Sequence, residues 1–226
     1  MFWRKSLNDR RLAALGQVPA GPLRDYLEVP FPDARVDWRQ GRYLAIDLEL
    51  TGLETDASIL AAGSVPIDGP SLMLAGATHL LVRPDVEVGQ SATVHGLTDD
   101  GLSAARPLEE VLPAILAELA GRTLVAHHAE IEVGFLSRAC AQLYGRRLLV
   151  PAIDTMHLQR RVLRLAPGQP VKHGALRLQA SRDLFGLPRY RAHEALTDAI
   201  AAGELFLAQA ADLGGSDGIS IQALLS

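Results

Sequence analysis

The sequence predicts an α/β fold with a mixed central sheet flanked by helices. Two observations carry that prediction. Three strand-like apolar runs come first, and helix-periodic and strand-like segments then alternate before the chain ends in helices. The composition also supports a sizeable core, with 48% of the 226 residues hydrophobic and 21% charged. Those proportions exclude a disordered or collagen-like chain.

Residues 1–40 read as an N-terminal extension. A short amphipathic helix covers Leu7 to Leu15, and the stretch holding Pro19, Pro22, Pro30 and Pro32 is too proline-rich for long regular elements. The main domain, 41–213, opens with Tyr43–Leu50, an apolar run closed by Thr51-Gly52. Ile59–Ile67 and Leu72–Val82 are further strands joined by the turn Asp68-Gly69-Pro70, so the three form an antiparallel meander. A helix over Leu108–Leu119 precedes a buried strand at Thr123–His127, and Glu130–Tyr144 has helical periodicity. Leu148–Ile153 reads as a strand and Thr155–Leu165 as a helix. Pro167, Gly168 and Pro170 mark a loop, and helices cover Leu176–Leu184 and Glu194–Ala211. The tail, 214–226, either frays or packs on its own domain, with docking to a partner as the alternative.

One cysteine, Cys140, rules out an internal disulfide and suits a reducing compartment. The first fifteen residues interleave charges with short apolar pieces and do not form a signal peptide. No run reaches the roughly 18 apolar residues of a membrane span. A cytoplasmic protein is the expectation. The net charge is −4, which argues against a protein that merely coats nucleic acid. The charge is uneven, though. Eight Lys or Arg lie between Arg160 and Arg191 against a single acid, Asp183, a net +7. A face that grips a polyanion is one reading of this segment. Arginines scattered on a solvated helix and loop are the other.

Four carboxylates stand where the pattern calls for apolar side chains. In a strand, residues two apart share a face. Leu44, Ile46, Leu48 and Leu50 fill one face, and Ala45, Asp47 and Glu49 fill the other. Like charges side by side repel by several kcal/mol when partly buried, and a cation between them removes that cost. An edge strand with one wet face competes, but the adjacent Thr51-Gly52 turn puts the acids at a strand end, where ligands bind. Glu132 shares its helical stripe with Phe135, Leu136 and Ala139, whereas Glu130 faces Val133, Gly134 and Ser137. Glu132 therefore points to the core or a site cut into it, unless it is a boundary residue facing water. Asp198 shares a stripe with Ala195, Ala202 and Leu205 in a helix of small residues able to press on a sheet, and an unpaired buried acid is costly. His193, five residues earlier, is a proton-transfer candidate because its ordinary pKa is about 6.5.

Hard cations such as Mg²⁺ take carboxylates, waters and phosphate oxygens as ligands. Two of them about 4 Å apart can clamp the attacking and leaving oxygens of a phosphodiester, while a histidine takes a proton from the attacking water. Phosphate-loop and dinucleotide glycine motifs are absent, as is a nucleophile elbow. One cysteine excludes a thiolate zinc cluster. His127 and His128, being adjacent, point in different directions and make a poor metal pair.

These residues resemble the DEDD exonuclease superfamily in its histidine-containing subclass, over about Tyr43 to Ala208. The Asp-x-Glu-x-Thr-Gly motif reads Asp47-Leu48-Glu49-Leu50-Thr51-Gly52. Val94-His95-Gly96-Leu97 matches the segment Val-His-Gly-Ile/Leu, and His127-His128-Ala129-Glu130-Ile131-Glu132 begins the second motif. Asp154-Thr155 and the His193–Asp198 spacing complete the order. The resemblance implies a ribonuclease-H-like fold, 3′→5′ exonuclease activity, and two Mg²⁺ or Mn²⁺ ions on Asp47, Glu49, Glu132 and Asp198. It makes His193 the general base and places Leu50, Thr51 and Leu53 against the terminal nucleotide, with His95 and His128 lining the cleft. The substrate would be the 3′ end of a nucleic acid, with DNA favoured and oligoribonucleotides the alternative. A polymerase or other protein partner is compatible through residues 1–40 or the tail. Three positions depart from the family: Glu132 replaces Asp, His128 replaces Asn and, more mildly, Ile131 replaces Phe. The extra methylene of Glu132 would shift an ion or push the helix back. The implied outcomes are weaker activity, a tuning to Mn²⁺, or a nucleic-acid-binding module with blunted catalysis.

Overall fold

The computed structural model describes residues 6–54, 57–84, 99–166, 168–191 and 194–226. The described elements are α1 (Leu7–Leu15), α2 (Pro22–Glu28), β1 (Arg42–Leu50), β2 (Ile59–Asp68), β3 (Ser71–Leu72), β4 (Thr78–Arg83), α3 (Asp99–Leu102), β5 (Arg106–Pro107), α4 (Leu108–Leu119), β6 (Thr123–Ala126), α5 (Glu130–Tyr144), β7 (Ala152–Asp154), α6 (Thr155–Val162), α7 (Leu178–Leu184), α8 (Ala195–Gly214) and α9 (Ile221–Leu224).

Among the described residues, seven strands form one mixed sheet in the order β5-β4-β2-β1-β6-β7, with β3 pairing to β2. β1 runs antiparallel to β2, as does β4, while β6 is parallel to β1 and β7 parallel to β6. The mixed sheet flanked by helices is thus the one the sequence predicts. The carboxyl ends of β1, β6 and β7 meet at one edge, the place where open α/β sheets collect ligands.

The alternation read from β1 is real. Leu44, Ile46, Leu48 and Leu50 lie in the larger apolar cluster with Phe135 and Leu136 of α5, and Tyr43 and Ala45 lie in a second cluster with Phe206 of α8. The sheet therefore has α4 and α5 on one face and α8 on the other. Close approach of α8 depends on two glycines. A Cβ at Gly203 would lie 2.8 Å from Leu72 Cδ1 and 3.2 Å from Ala45 Cβ. A Cβ at Gly63 would overlap the backbone of Ala195 and Leu196 at the start of α8.

Two strand expectations need correction, and the extension holds one short helix more than its sequence showed. The proline-rich stretch contains a helix, α2, because Pro22 sits in its first turn, where the missing N–H is no loss. Leu23, Tyr26 and Leu27 of this helix are buried in the larger cluster. The run Leu72–Val82 is not one strand, since the turn of Leu74–Gly76 separates β3 from β4. The strand expected over Leu148–Ile153 begins only at Ala152, after Pro151. The tail packs on its own domain: Ile221 and Leu224 are buried with Trp38 and Phe206. Backbone bonds from Trp38 to Ile219 (3.0 Å) and from Ile221 to Val36 (3.1 Å) tie the tail to the extension. No helix among the described residues is long and apolar enough to cross a membrane.

Candidate active site

Asp47 and Glu49 stand on the α8 face near the end of β1. Asp47 is paired in register with Gly63 of β2, the residue whose missing side chain admits the first turn of α8. That turn carries Asp198. One glycine therefore brings acids from a strand and a helix together. Ligand oxygens of Asp47, Glu49 and Asp198 all lie within 4.8 Å of one another. Glu49 is buried, and Asp47 and Asp198 are partly so. A register shift falls between Glu49 and Leu50, where the partner passes from Ala61 to Ile59. Such bulges bend a strand and re-aim side chains beside sites.

Glu132 comes from the first turn of α5 and is 4% exposed, with Oε2 lacking any hydrogen-bond partner. It faces the site rather than water, as the helical stripe predicts, while Glu130 is exposed. Burial pushes its carboxyl up to about 8, with Asp154 adding to the rise and a backbone hydrogen bond opposing it. Burial also drives Asp47 well above the usual carboxylate range, followed by the charges of Glu132, Asp198 and Glu49. Three acids raising the proton affinity of a fourth, Asp47, in a sheltered place form a site suited to positive charge. The orphaned Glu132 oxygen and the oxygens of the other three suit hard divalent cations. Glu132 is not one of the three acids in the 4.8 Å cluster, yet among the charges acting on Asp47 its own comes first.

The turn leading into α5 is held from two sides. His128 adopts φ 75°, a left-handed conformation. Asn and His both enter that region more readily than most residues, so the exchange of one for the other is accommodated by the backbone. The His128 N–H donates to Asp154 Oδ1 at 3.0 Å, and the same oxygen accepts from Met156 N–H at 2.8 Å, capping α6. His127 bridges Thr155 Oγ1 (2.8 Å) and the Leu176 carbonyl (2.9 Å). A carbonyl only accepts, so Nε2 carries the proton and Nδ1 faces the Thr155 hydroxyl. Burial lowers the His127 pKa, which favours this neutral form. The two histidines do diverge: His127 is a structural brace and His128 is exposed.

At the mouth, Thr51 N–H donates to the Ser58 carbonyl (3.0 Å), and Ser58 N–H returns to Thr51 Oγ1 at 2.9 Å. Leu50 is buried, whereas Leu53 is 70% exposed. His193 and His95 lie outside the described residues. The chain just before His193 is anchored by Arg182, which sequence reasoning counted with the basic face. It is fully buried, bonded to the Ala201 and Pro188 carbonyls and to Glu204 Oε2 at 2.7 Å, and its guanidinium lies 4.8 Å from the Tyr190 ring. Arg189 pairs with Asp183, Arg160 bonds to Gln169 and Arg161 to Ala223. Half of the apparent basic face is therefore structural. Arg182 had no signal in the sequence, but Asp154 did: an Asp directly before Thr at a strand-to-helix step reads as a cap.

With this geometry in place, likeness to known proteins decides the family. An exonuclease family model, that of RNase T, matches residues 44–206. The chain belongs to this exonuclease family. Similar relatives include the PolC-type DNA polymerase III of Thermotoga maritima, 30% identical over 167 residues, covering 73% of this chain and 12% of that protein. The DNA polymerase III subunit epsilon of Aquifex aeolicus is 28% identical over 169 residues, 74% of this chain and 79% of that one. The exonuclease chain thus spans about an eighth of the PolC relative. Among solved structures, Exonuclease X in complex with 5′ overhanging duplex DNA aligns at a TM-score of 0.60 and 22% identity, over 80% of this chain and 98% of that one. The nuclease domain of 3′hExo, a DEDDh family member bound to rAMP, aligns at 0.64 and 18%, over 82% and 98%. The fold of the exonuclease is ribonuclease-H-like.

Proposed function

We propose that this exonuclease hydrolyses phosphodiester bonds from the 3′ end of a DNA strand and releases nucleoside monophosphates. The observation that carries the reading is the meeting of Asp47, Glu49 and Asp198 within 4.8 Å beside the buried, unpartnered Glu132 oxygen. Mg²⁺ or Mn²⁺, as a pair of ions, would be held by these four residues, and when bound they supply charge neutralisation at the scissile phosphate and a more acidic water. His193 takes the proton from the attacking water, so His193→Ala loses about 10²–10⁴ in rate. Leu53, exposed at the mouth, and Leu50 and Thr51 below it bear on the terminal nucleotide, with His95 and His128 along the cleft. DNA is favoured over RNA because the polymerase III relatives carry that polymer in their names, and the same likeness supports a polymerase partner and a cytoplasmic setting. The domain limits in this reading are 1–40, 41–213 and 214–226.

Incubation with 5′-labelled single strands of DNA and RNA, under Mg²⁺ and under Mn²⁺, tests the proposal. A ladder shortening from the 3′ end on DNA, absent in Asp47→Ala and weakened in His193→Ala, is expected. Faster cleavage of the RNA strand would move the substrate to oligoribonucleotides. The glutamate at position 132, where the family has aspartate, favours one second reading, a binding module with blunted catalysis, which predicts strand binding and no ladder under either metal.

A further inference from the structure

A second concavity adjoins the carboxylate site, and of its lining only His128 was given a role in the chemistry above. Its volume is about 450 Å³, and it lies between the turn leading into α5 and the loop that precedes α7. Its floor is apolar, made by Ile131, Met156 and Val171. Its rim is cationic, carrying Lys172 and Arg177, and none of its described lining residues is an acid. Lys172, Arg177 and His128 are exposed side chains. Lys172 and Arg177 are thus two of the eight cations of the basic segment that make none of the side-chain bonds described for Arg182, Arg189, Arg160 and Arg161.

The concavity is fixed to the carboxylate site. The His127 bridge to the Leu176 carbonyl ties the loop to the turn, and Asp154 holds the same turn through His128 N–H. The loop itself is closed by backbone bonds from Ala175 N–H to the Lys172 carbonyl and from Arg177 N–H to the Gly174 carbonyl. Gly174, at φ 81°, permits that double turn. Glu132 lies four residues after His128, in the first turn of α5. A cluster of carboxylates and a cationic, apolar-floored pocket thus stand side by side on one turn.

We propose that this concavity seats a nucleotide of the substrate strand upstream of the one being removed, its base on Ile131, Met156 and Val171 and its phosphate against Lys172 and Arg177. The assignment rests on the nuclease reading. An apolar floor takes a base of any sequence, and paired cations at a rim take a backbone phosphate, the combination used for single strands. Lys172 and Arg177 act on binding of the strand and not on the bond being cleaved.

The test is a length series of 5′-labelled oligothymidylates, from dimer to octamer, with the full chain and with the double variant Lys172→Ala/Arg177→Ala. In the variant the octamer KM is expected to rise about tenfold with kcat unchanged, while the dimer KM stays the same. The slope of log(kcat/KM) against log salt should become shallower by about 0.7 for each phosphate that the variant leaves unneutralised. Ile131→Ala is expected to raise the octamer KM without changing the salt slope. Equal octamer KM and equal salt slope in parent and double variant overturn the proposal. If the parent cleaves nothing under either metal, the nuclease reading fails separately. Fluorescence anisotropy of a labelled octamer then decides the pocket alone, a tenfold weaker Kd in the variant supporting it and an unchanged Kd overturning it.

Discussion

Glu132 carries a measurable consequence of its own. Its carboxyl is pushed from an ordinary 4.5 to about 8 in the folded, metal-free protein, chiefly by burial. Between those two values the native state holds a proton that the unfolded chain has released, so stability falls as pH rises from about 4.5 to 8. Metal-free protein should therefore show a Tm that declines across this range, and Mn²⁺ should raise Tm more at the upper end of the range than at the lower. Glu132→Gln should flatten the decline, as read by calorimetry with and without chelator. A pH-independent Tm in the parent would contradict the buried placement. The apolar stripe around Glu132 and the alternation around Asp47 were both visible in the sequence, because period 3.6 and period 2 each assign a face. Arg182 was not visible, since a charged residue gives no periodic sign that tertiary packing will enclose it. Arg182→Met removes its bonds to the Ala201 and Pro188 carbonyls and leaves Glu204 with the Tyr190 hydroxyl but no cation. Breaking a fully buried pair costs about 3–5 kcal/mol, and the lower end applies because Glu204 keeps some access to water. Urea unfolding would measure it.

At the scale of elements, the site depends on how closely α8 lies on the sheet. Gly63 on β2 has no room for a methyl group against Ala195, so Gly63→Ala must lift the first turn of α8 and carry Asp198 away from Asp47. A stability loss of about 1–3 kcal/mol is expected from overpacking. A displacement of about 1 Å is enough for about a hundredfold loss in rate. Activity and urea midpoint measured together separate the two effects, and full activity would show that α8 tolerates the shift. The small-residue character of this helix was legible in the sequence, as was the meander of β1, β2 and β4. Helix α2 was not, because prolines were counted as breakers although one of them initiates a helix. The strand bulge beside Glu49 also left no mark, since a register slip is set by the partner strand rather than by either sequence alone.

Over the whole molecule, the extension and the tail meet on the α8 side of the sheet, away from the carboxylates. Ile221 and Leu224 cover Trp38 and Phe206, and Asp37 pairs with Ser220 across an isolated bridge. Truncation after Asp217 removes two buried side chains and should cost on the order of 3 kcal/mol, lowering Tm while leaving the metal dependence of the remaining folded protein intact. The tail had two readings in the sequence because Ile219, Ile221, Leu224 and Leu225 are as apolar as a docking segment would be. Only the tertiary arrangement shows that its partner is the chain itself. The central claim is that a strand and two helices bring four carboxylates around a pair of divalent ions. An anomalous difference map from crystals soaked in Mn²⁺ and a nucleoside monophosphate tests it most directly. Two peaks are predicted among Asp47, Glu49, Glu132 and Asp198. No peak there, with the Glu132 carboxylate turned into solvent, would contradict it.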